Sequence, residues 1–244
     1  MAESAQGGDG GAVVLLSGGL DSVTLLYHVV RQLGRSPVYA LSYNYGQRHA
    51  RELDCARHQA AAAGVDGHRV IDLSVLGDLL KDGSALIAGG AAVPDLVDLT
   101  QDQLSQPPTY VPNRNMILLA MAAACAEAQG IRDVFYGAHA EDEYGYWDCT
   151  KTFLDRINNL LELNRGNTVR ILAPFLAASK ADILKAGLGL GVDYADTWSC
   201  YRGGQTPCGT CPTCVERLNA FRDAGVQDPL PYPNTARQEP DTER

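Results

Sequence analysis

The 244-residue chain has no run of the roughly 18 to 20 apolar residues that a membrane-spanning helix needs. It is also short of basic charge, with 20 Lys and Arg against 29 Asp and Glu and a net charge of −9. That sign is wrong for a surface that must hold a nucleic-acid backbone unaided, so no direct nucleic-acid partner is expected and a small-molecule substrate is favoured. Met1 to Gly11 lack the basic start and apolar run of a secretory signal, which makes the cytoplasm the expected compartment. Two common phosphate-binding patterns are missing as well: the Gly-Lys-Ser/Thr ending of a Walker A loop and the Gly-x-Gly-x-x-Gly dinucleotide fingerprint. No internal repeat occurs, and no low-complexity tract beyond the Ala-rich stretches 60–63 and 122–124.

What is present is an ordinary globular composition, 45% hydrophobic and 20% charged, enough for one large α/β domain with a small appendage. Ala12 to Leu16 is apolar without polar alternation, and predicts a buried parallel strand. Strand signals return at 38–43, 68–73, 133–136 and 168–172. Helical stretches alternate with them, from about Ser22, over about 48–63, 115–129 and 151–163, and over 179–187 with a Ser at the cap. This alternation predicts right-handed βαβ units and a doubly wound parallel sheet, with ligands at the carboxyl ends of the strands. The leader 1–11 and the tail 228–244 are expected to be loose. The domain is expected over 12–197, with a mobile loop at about 83–108, followed by a cysteine loop and helix at 198–227.

Ser17-Gly18-Gly19-Leu20-Asp21-Ser22 falls between the first strand and its helix, where backbone N–H groups and the positive helix end form an anion nest. It matches the Ser-Gly-Gly-x-Asp-Ser signature of PP-loop ATP pyrophosphatases, which implies cleavage between the α and β phosphates, with the Asp linked to magnesium. Near the other end, Cys200, Cys208, Cys211 and Cys214 are spaced for one tetrahedral metal ion. Zinc is the default, an iron–sulfur cluster being the alternative with the same ligands, and four protein ligands make it structural. Cys55 and Cys125 read as small buried hydrophobes.

Several further segments stand in a fixed order: Tyr45-Gly46-Gln47-Arg48-His49, Val111-Pro112-Asn113-Arg114-Asn115, Gly145-Tyr146 with Asp148-Cys149, Lys180-Ala181-Asp182, and Trp198-Ser199-Cys200-Tyr201. Together with the two motifs, these make the chain resemble the 7-cyano-7-deazaguanine synthases of queuosine biosynthesis from about Ala12 to Phe221. The resemblance implies an adenine nucleotide alpha hydrolase-like fold with a small C-terminal four-cysteine zinc subdomain. It implies an ATP-dependent ligase that turns 7-carboxy-7-deazaguanine and ammonia into a nitrile through adenylated intermediates, with one zinc per chain in a homodimer. By this scheme Leu16, Ser17, Gly18, Gly19, Leu20, Asp21 and Ser22 hold the nucleotide. Ser17, Asp21, Ser22, Arg114 and Lys180 serve the phosphoryl chemistry, Arg114 and Lys180 by neutralising charge. Tyr45, Gln47, Arg48, Asn115, Glu141 and Asp148 are candidates for the substrate; Glu141, Asp142 and Asp148 could equally hold magnesium or be solvated loop carboxylates.

Three positions depart from the family's Ser-Gly-Tyr-Pro-Asp-Cys-Arg stretch: Tyr144, Trp147 and Thr150 replace its Ser, Pro and Arg. Loss of a cation and gain of two rings would reshape a pocket. The alternative expectation is therefore a specialised paralogue that adenylates a related 7-deazapurine and stops at an amide or joins it to another amine. A tRNA thiolase would need a basic RNA surface, which the net charge disfavours. A non-catalytic zinc-loop interaction module would not need Ser17, Asp21, Arg114 and Lys180 together.

Overall fold

The structure, a computed structural model, describes residues 10–48, 51–140, 145–166 and 168–233. Most of the leader and of the tail, and His49, Glu141, Asp142 and Tyr144, lie outside the described residues.

Five strands form one parallel sheet: β1 (Ala12–Leu15), β2 (Val38–Asn44), β3 (Gly67–Asp72), β4 (Asp133–Phe135) and β5 (Arg170–Leu172), in the order β3-β2-β1-β4-β5. All four pairings are parallel. The chain winds outward from β1 in one direction through β2 and β3 and in the other through β4 and β5. A crevice therefore opens at the carboxyl ends of β1 and β4, where the winding reverses.

Helices α1 (Leu20–Tyr27), α2 (Arg51–Ala63), α7 (Lys180–Gly189) and α8 (Pro212–Asp223) share the core on one face of the sheet. On the other face lie α5 (Arg114–Ala128) and α6 (Lys151–Leu161). Two short helices, α3 (Ser74–Leu80) and α4 (Gln101–Ser105), were not signalled by periodicity, since five to seven residues hold too few turns to show it. Far from the crevice, the buried Asp133 carboxylate accepts from Arg35 at 2.8 Å and Arg170 at 2.6 Å, tying the start of β4 to the turn before β2 and to β5.

The stretch 83–108, expected as a mobile loop, is folded along the body. Ala85, Leu86 and Ile87 are buried, Arg48 Nε donates to the Ala85 carbonyl at 2.7 Å, and Leu96 N donates to the Thr210 carbonyl at 3.0 Å. Several of its anchors are backbone carbonyls, which no side-chain pattern reveals, and Asp95 adds an ion pair to Arg202 at 2.8 Å. The tail boundary also moves: Asp228, Leu230 and Tyr232 are buried against α8 and the cysteine loop.

The reason is Arg217. Fully buried, it pairs with both Asp228 oxygens at 2.7 and 3.0 Å and donates to Thr197 Oγ1 and the Tyr194 carbonyl, while Tyr232 Oη donates to Asp228. Arg217→Ala would strand Asp228 as an uncompensated buried charge, at a cost of about 3–5 kcal/mol. Urea unfolding should show this as a lowered midpoint with an unchanged slope, and a variant within about 1 kcal/mol of wild type would contradict it.

Candidate active site

At the carboxyl ends of β1, β2 and β4 lies a cavity of about 260 Å³. The first turns of five helices line it: Leu20, Asp21 and Ser22 of α1, Glu52 and Leu53 of α2, Arg114 and Asn115 of α5, Lys180 of α7 and Thr213 of α8. Helix starts carry partial positive charge, so their convergence makes one strongly anion-attracting end.

The loop between β1 and α1 is built for close approach. Gly18 has φ +91°, and a Cβ there would collide with the Glu52 carbonyl; only glycine lets the loop press against α2. Its carbonyl accepts from Trp198 N at 3.0 Å, joining the loop to the cysteine segment. Ser17 and Ser22 hydroxyls lie 2.9 Å apart, and Ser17 N donates to Ser22 Oγ at 3.1 Å. The Gly19 cap position of α1 supplies no side chain, which leaves its first-turn N–H groups to a ligand.

Asp21 Oδ2 is 3.7 Å from both Lys180 Nζ and His139 Nε2, while Oδ1 is buried with no hydrogen-bond partner among the described residues. An orphaned carboxylate oxygen beside an anion nest suits a hard divalent cation such as magnesium. Lys180 also binds Glu216 at 2.8 Å.

At the opposite wall, Arg114 stands at the positive start of α5, where a cation is electrostatically disfavoured. It donates to Tyr45 Oη at 3.5 Å. Asp148 compensates the helix end: its Oδ2 accepts from Asn115 N at 3.3 Å. Burial raises its pKa, against the pull of Arg114. Asp148 is off the cavity wall, so the structure gives it a positioning place beneath Arg114 and Asn115.

Gln47 and Arg48 do line the cavity, but their polar groups are engaged with backbone. Gln47 bonds Tyr45 N at 2.8 Å and the Tyr43 carbonyl at 3.0 Å, bracing the turn after β2. Arg48 is spent on the carbonyls of Ala85, Gly90 and Ala91. Trp147 and Thr150 are off the wall too. Trp147 packs edge-on against Phe153 at 5.4 Å and donates to Tyr110 Oη, and Thr150 caps α6 by accepting from Phe153 N at 3.1 Å. Both described departures from the family stretch thus have local structural reasons.

The four cysteines of the array come together: one sulfur from each of Cys200, Cys208, Cys211 and Cys214 lies within 4.8 Å of the others, with Cys208 and Cys214 at 3.9 Å. Tetrahedral zinc with sulfur at about 2.3 Å requires sulfurs roughly 3.8 Å apart, so the set fits the ion. Cys55 and Cys125 are half-buried.

Three residues of the site escaped the sequence reading. His139 follows β4 at the ligand edge and Glu216 lies on α8; position past a strand end could have flagged the first, whereas nothing local flags the second. Glu52, in the first turn of α2, lines the cavity, and burial pushes its carboxyl up to about 7.

The family described as "Queuosine biosynthesis protein QueC" matches residues 11–225. A 7-cyano-7-deazaguanine synthase of Psychromonas ingrahamii is 42% identical over 226 residues, covering 91% of this chain and 98% of the relative. Synthases of the same name from Methanoregula boonei and Caldicellulosiruptor bescii are 43% and 44% identical, each over 91% of this chain and 98% and 96% of their own lengths.

Proposed function

The chain belongs to the QueC family of queuosine biosynthesis proteins, and we propose that it is an ATP-dependent carbon–nitrogen ligase that converts 7-carboxy-7-deazaguanine and ammonia to 7-cyano-7-deazaguanine. The observation that carries this reading is the convergence of five helix starts, with Ser17, Ser22, Arg114 and Lys180, on one cavity. A carboxylate resists attack by an amine because of its charge. Transfer of its oxygen to the α-phosphate of ATP gives an acyl-adenylate that ammonia can attack, and a second activation, on the amide oxygen, allows dehydration to the nitrile.

In this scheme the protein contributes position and charge. Ser17, Ser22 and the amides from Gly19 onward cradle the departing pyrophosphate, and Lys180 neutralises it from the α7 side. Arg114 meets the charge developing on the α-phosphate. Asp21 would hold magnesium, which when bound shields the phosphate oxygens from one another. Tyr45 and Asn115 share the wall with Arg114 and face the deazapurine. The four cysteines hold structural zinc. The acting form is a homodimer in the cytoplasm, with no direct nucleic-acid contact.

The test is incubation of zinc-loaded protein with ATP, magnesium, ammonium and 7-carboxy-7-deazaguanine, following the base by mass and the nucleotide by chromatography. The nitrile, AMP and pyrophosphate are expected. ADP as product, or an unaltered base, would overturn the reading, and a base that stops at the amide would favour the paralogue.

A further inference from the structure

We propose that Glu52 is the proton acceptor for the incoming amine, a role that rests on the ligase reading above and assigns one of its steps to a side chain. Among the described residues lining the cavity, the carboxylates are Asp21 and Glu52. Asp21 is committed to the phosphate end, 3.7 Å from Lys180 and from His139. Glu52 is different: it is partly buried, opens onto the cavity and makes no hydrogen bond or ion pair with any described residue. A half-buried carboxylate that makes no hydrogen bond and faces only the charge of Arg114 is costly, so its place on this wall is better explained by what enters the cavity than by the fold.

Its place fits the step. The Glu52 carbonyl packs against Gly18, so the residue adjoins the loop that would carry the phosphates. Its side chain is on the wall shared with Tyr45 and Arg114. A base at that junction sits between the nucleotide end and the acyl end of an adenylate. The charged and titratable groups that share its cavity include Arg114 from α5, Tyr45 and Arg48 after β2, Asp21 and Lys180 across the phosphate loop, and Tyr146 and Tyr201, with Cys55 one turn along its own helix. Burial raises its pKa to about 7 and Arg114 opposes the rise, which leaves the group able to take and return a proton near neutral pH.

The chemistry balances without another reagent. The ammonia lone pair forms the carbon–nitrogen bond to the acyl carbon, Glu52 takes one N–H proton, and the carbon–oxygen bond to AMP breaks with AMP keeping the electron pair. Transfer of the amide oxygen to the second ATP releases one of the two remaining N–H protons to solvent, and in the closing elimination the same carboxylate takes the last N–H proton as the second AMP leaves with its electron pair and the carbon–nitrogen triple bond forms. Between steps the proton passes to solvent.

The deciding experiment compares wild type, Glu52→Gln and Glu52→Asp in two assays: ATP–pyrophosphate exchange dependent on 7-carboxy-7-deazaguanine, which needs no amine, and amine-dependent product formation. Glu52→Gln should keep exchange within about threefold while product formation falls by about 10²-fold or more, with partial recovery in Glu52→Asp. Wild-type kcat should rise with pH through about 7, because the base works deprotonated, and that limb should vanish in Glu52→Gln. Equal losses in both assays would make Glu52 a binding residue, and no loss in either would make it a bystander; each overturns the proposal. If wild type shows no exchange with this carboxylate, the ligase reading itself fails, and Glu52 as its base fails with it.

Discussion

If the four cysteines hold zinc and the cavity binds ATP as proposed, Cys211→Ser should release the metal and disable the nucleotide site together, although Cys211 does not line the cavity. Cys200, Cys211 and Cys214 are buried in a small cluster with Ala85, Val93, Trp198, Leu230 and Tyr232, too few apolar groups to hold a cysteine loop in place alone. Structural zinc contributes an apparent 10–16 kcal/mol in zinc-finger peptides, comparable to the whole stability of an ordinary domain. The loss would reach the phosphate loop through Trp198, whose indole N–H donates to the Cys200 carbonyl at 3.1 Å and whose backbone N–H donates to the Gly18 carbonyl at 3.0 Å. Arg51 stacks on the same ring at 4.2 Å. Elemental analysis should fall from one zinc per chain towards none, proteolysis should open the segment after residue 198, and ATP–pyrophosphate exchange should drop at least tenfold. A variant that keeps its zinc and its melting temperature would show that three thiolates suffice. One that loses zinc yet exchanges normally would break the proposed link between the two halves.

How much of this was legible beforehand follows from the range of each signal. The phosphate loop and the cysteine array are local patterns, in which neighbours along the chain supply most of the geometry, and Ser17 to Ser22 and the four cysteines assemble as their spacing suggests. β1 was readable because the fully apolar run Ala12–Leu15 has little alternative to a buried parallel sheet, whereas β3, Gly-His-Arg-Val-Ile-Asp, was readable from its place in the alternation with helices. Gln47, Arg48 and Asp148 were harder: their segment was recognisable, but whether a polar side chain faces a ligand or a carbonyl depends on contacts up to 43 residues away, as from Arg48 to Ala91. Glu52 and Glu216 carry no sequence signal of their own, and only the packing of α2 on the phosphate loop and of α8 on α7 sets them apart. The same applies to Asp228, whose Pro-rich and charged surroundings suggest a loose end until its bidentate partner Arg217 is found 11 residues earlier.

Lys180→Met should lower ATP–pyrophosphate exchange by about 10²–10³-fold, the range found when one charge-stabilising group is removed from a reacting centre. Two roles compete for this residue. If it merely neutralises Glu216, to which it bonds at 2.8 Å, removing either partner should cost stability and neither should act selectively on the nucleotide. If it serves the phosphates, Glu216 is a holder that keeps the ammonium at the edge of the cavity, 3.7 Å from Asp21, until an anion arrives. The two substitutions should then diverge. Lys180→Met leaves the Asp21 and Glu216 carboxylates facing an incoming triphosphate with no cation between them, so repulsion adds to the lost attraction. Glu216→Gln leaves the ammonium in place with one fewer competitor, and the KM for ATP should stay level or fall. Lys180 is 7% exposed, so solvent screening cannot substitute for the missing charge. Parallel losses of exchange in the two variants, tracking their melting temperatures, would reduce the pair to a structural salt bridge. A selective loss in Lys180→Met alone would fix the ammonium as the pyrophosphate's counter-charge.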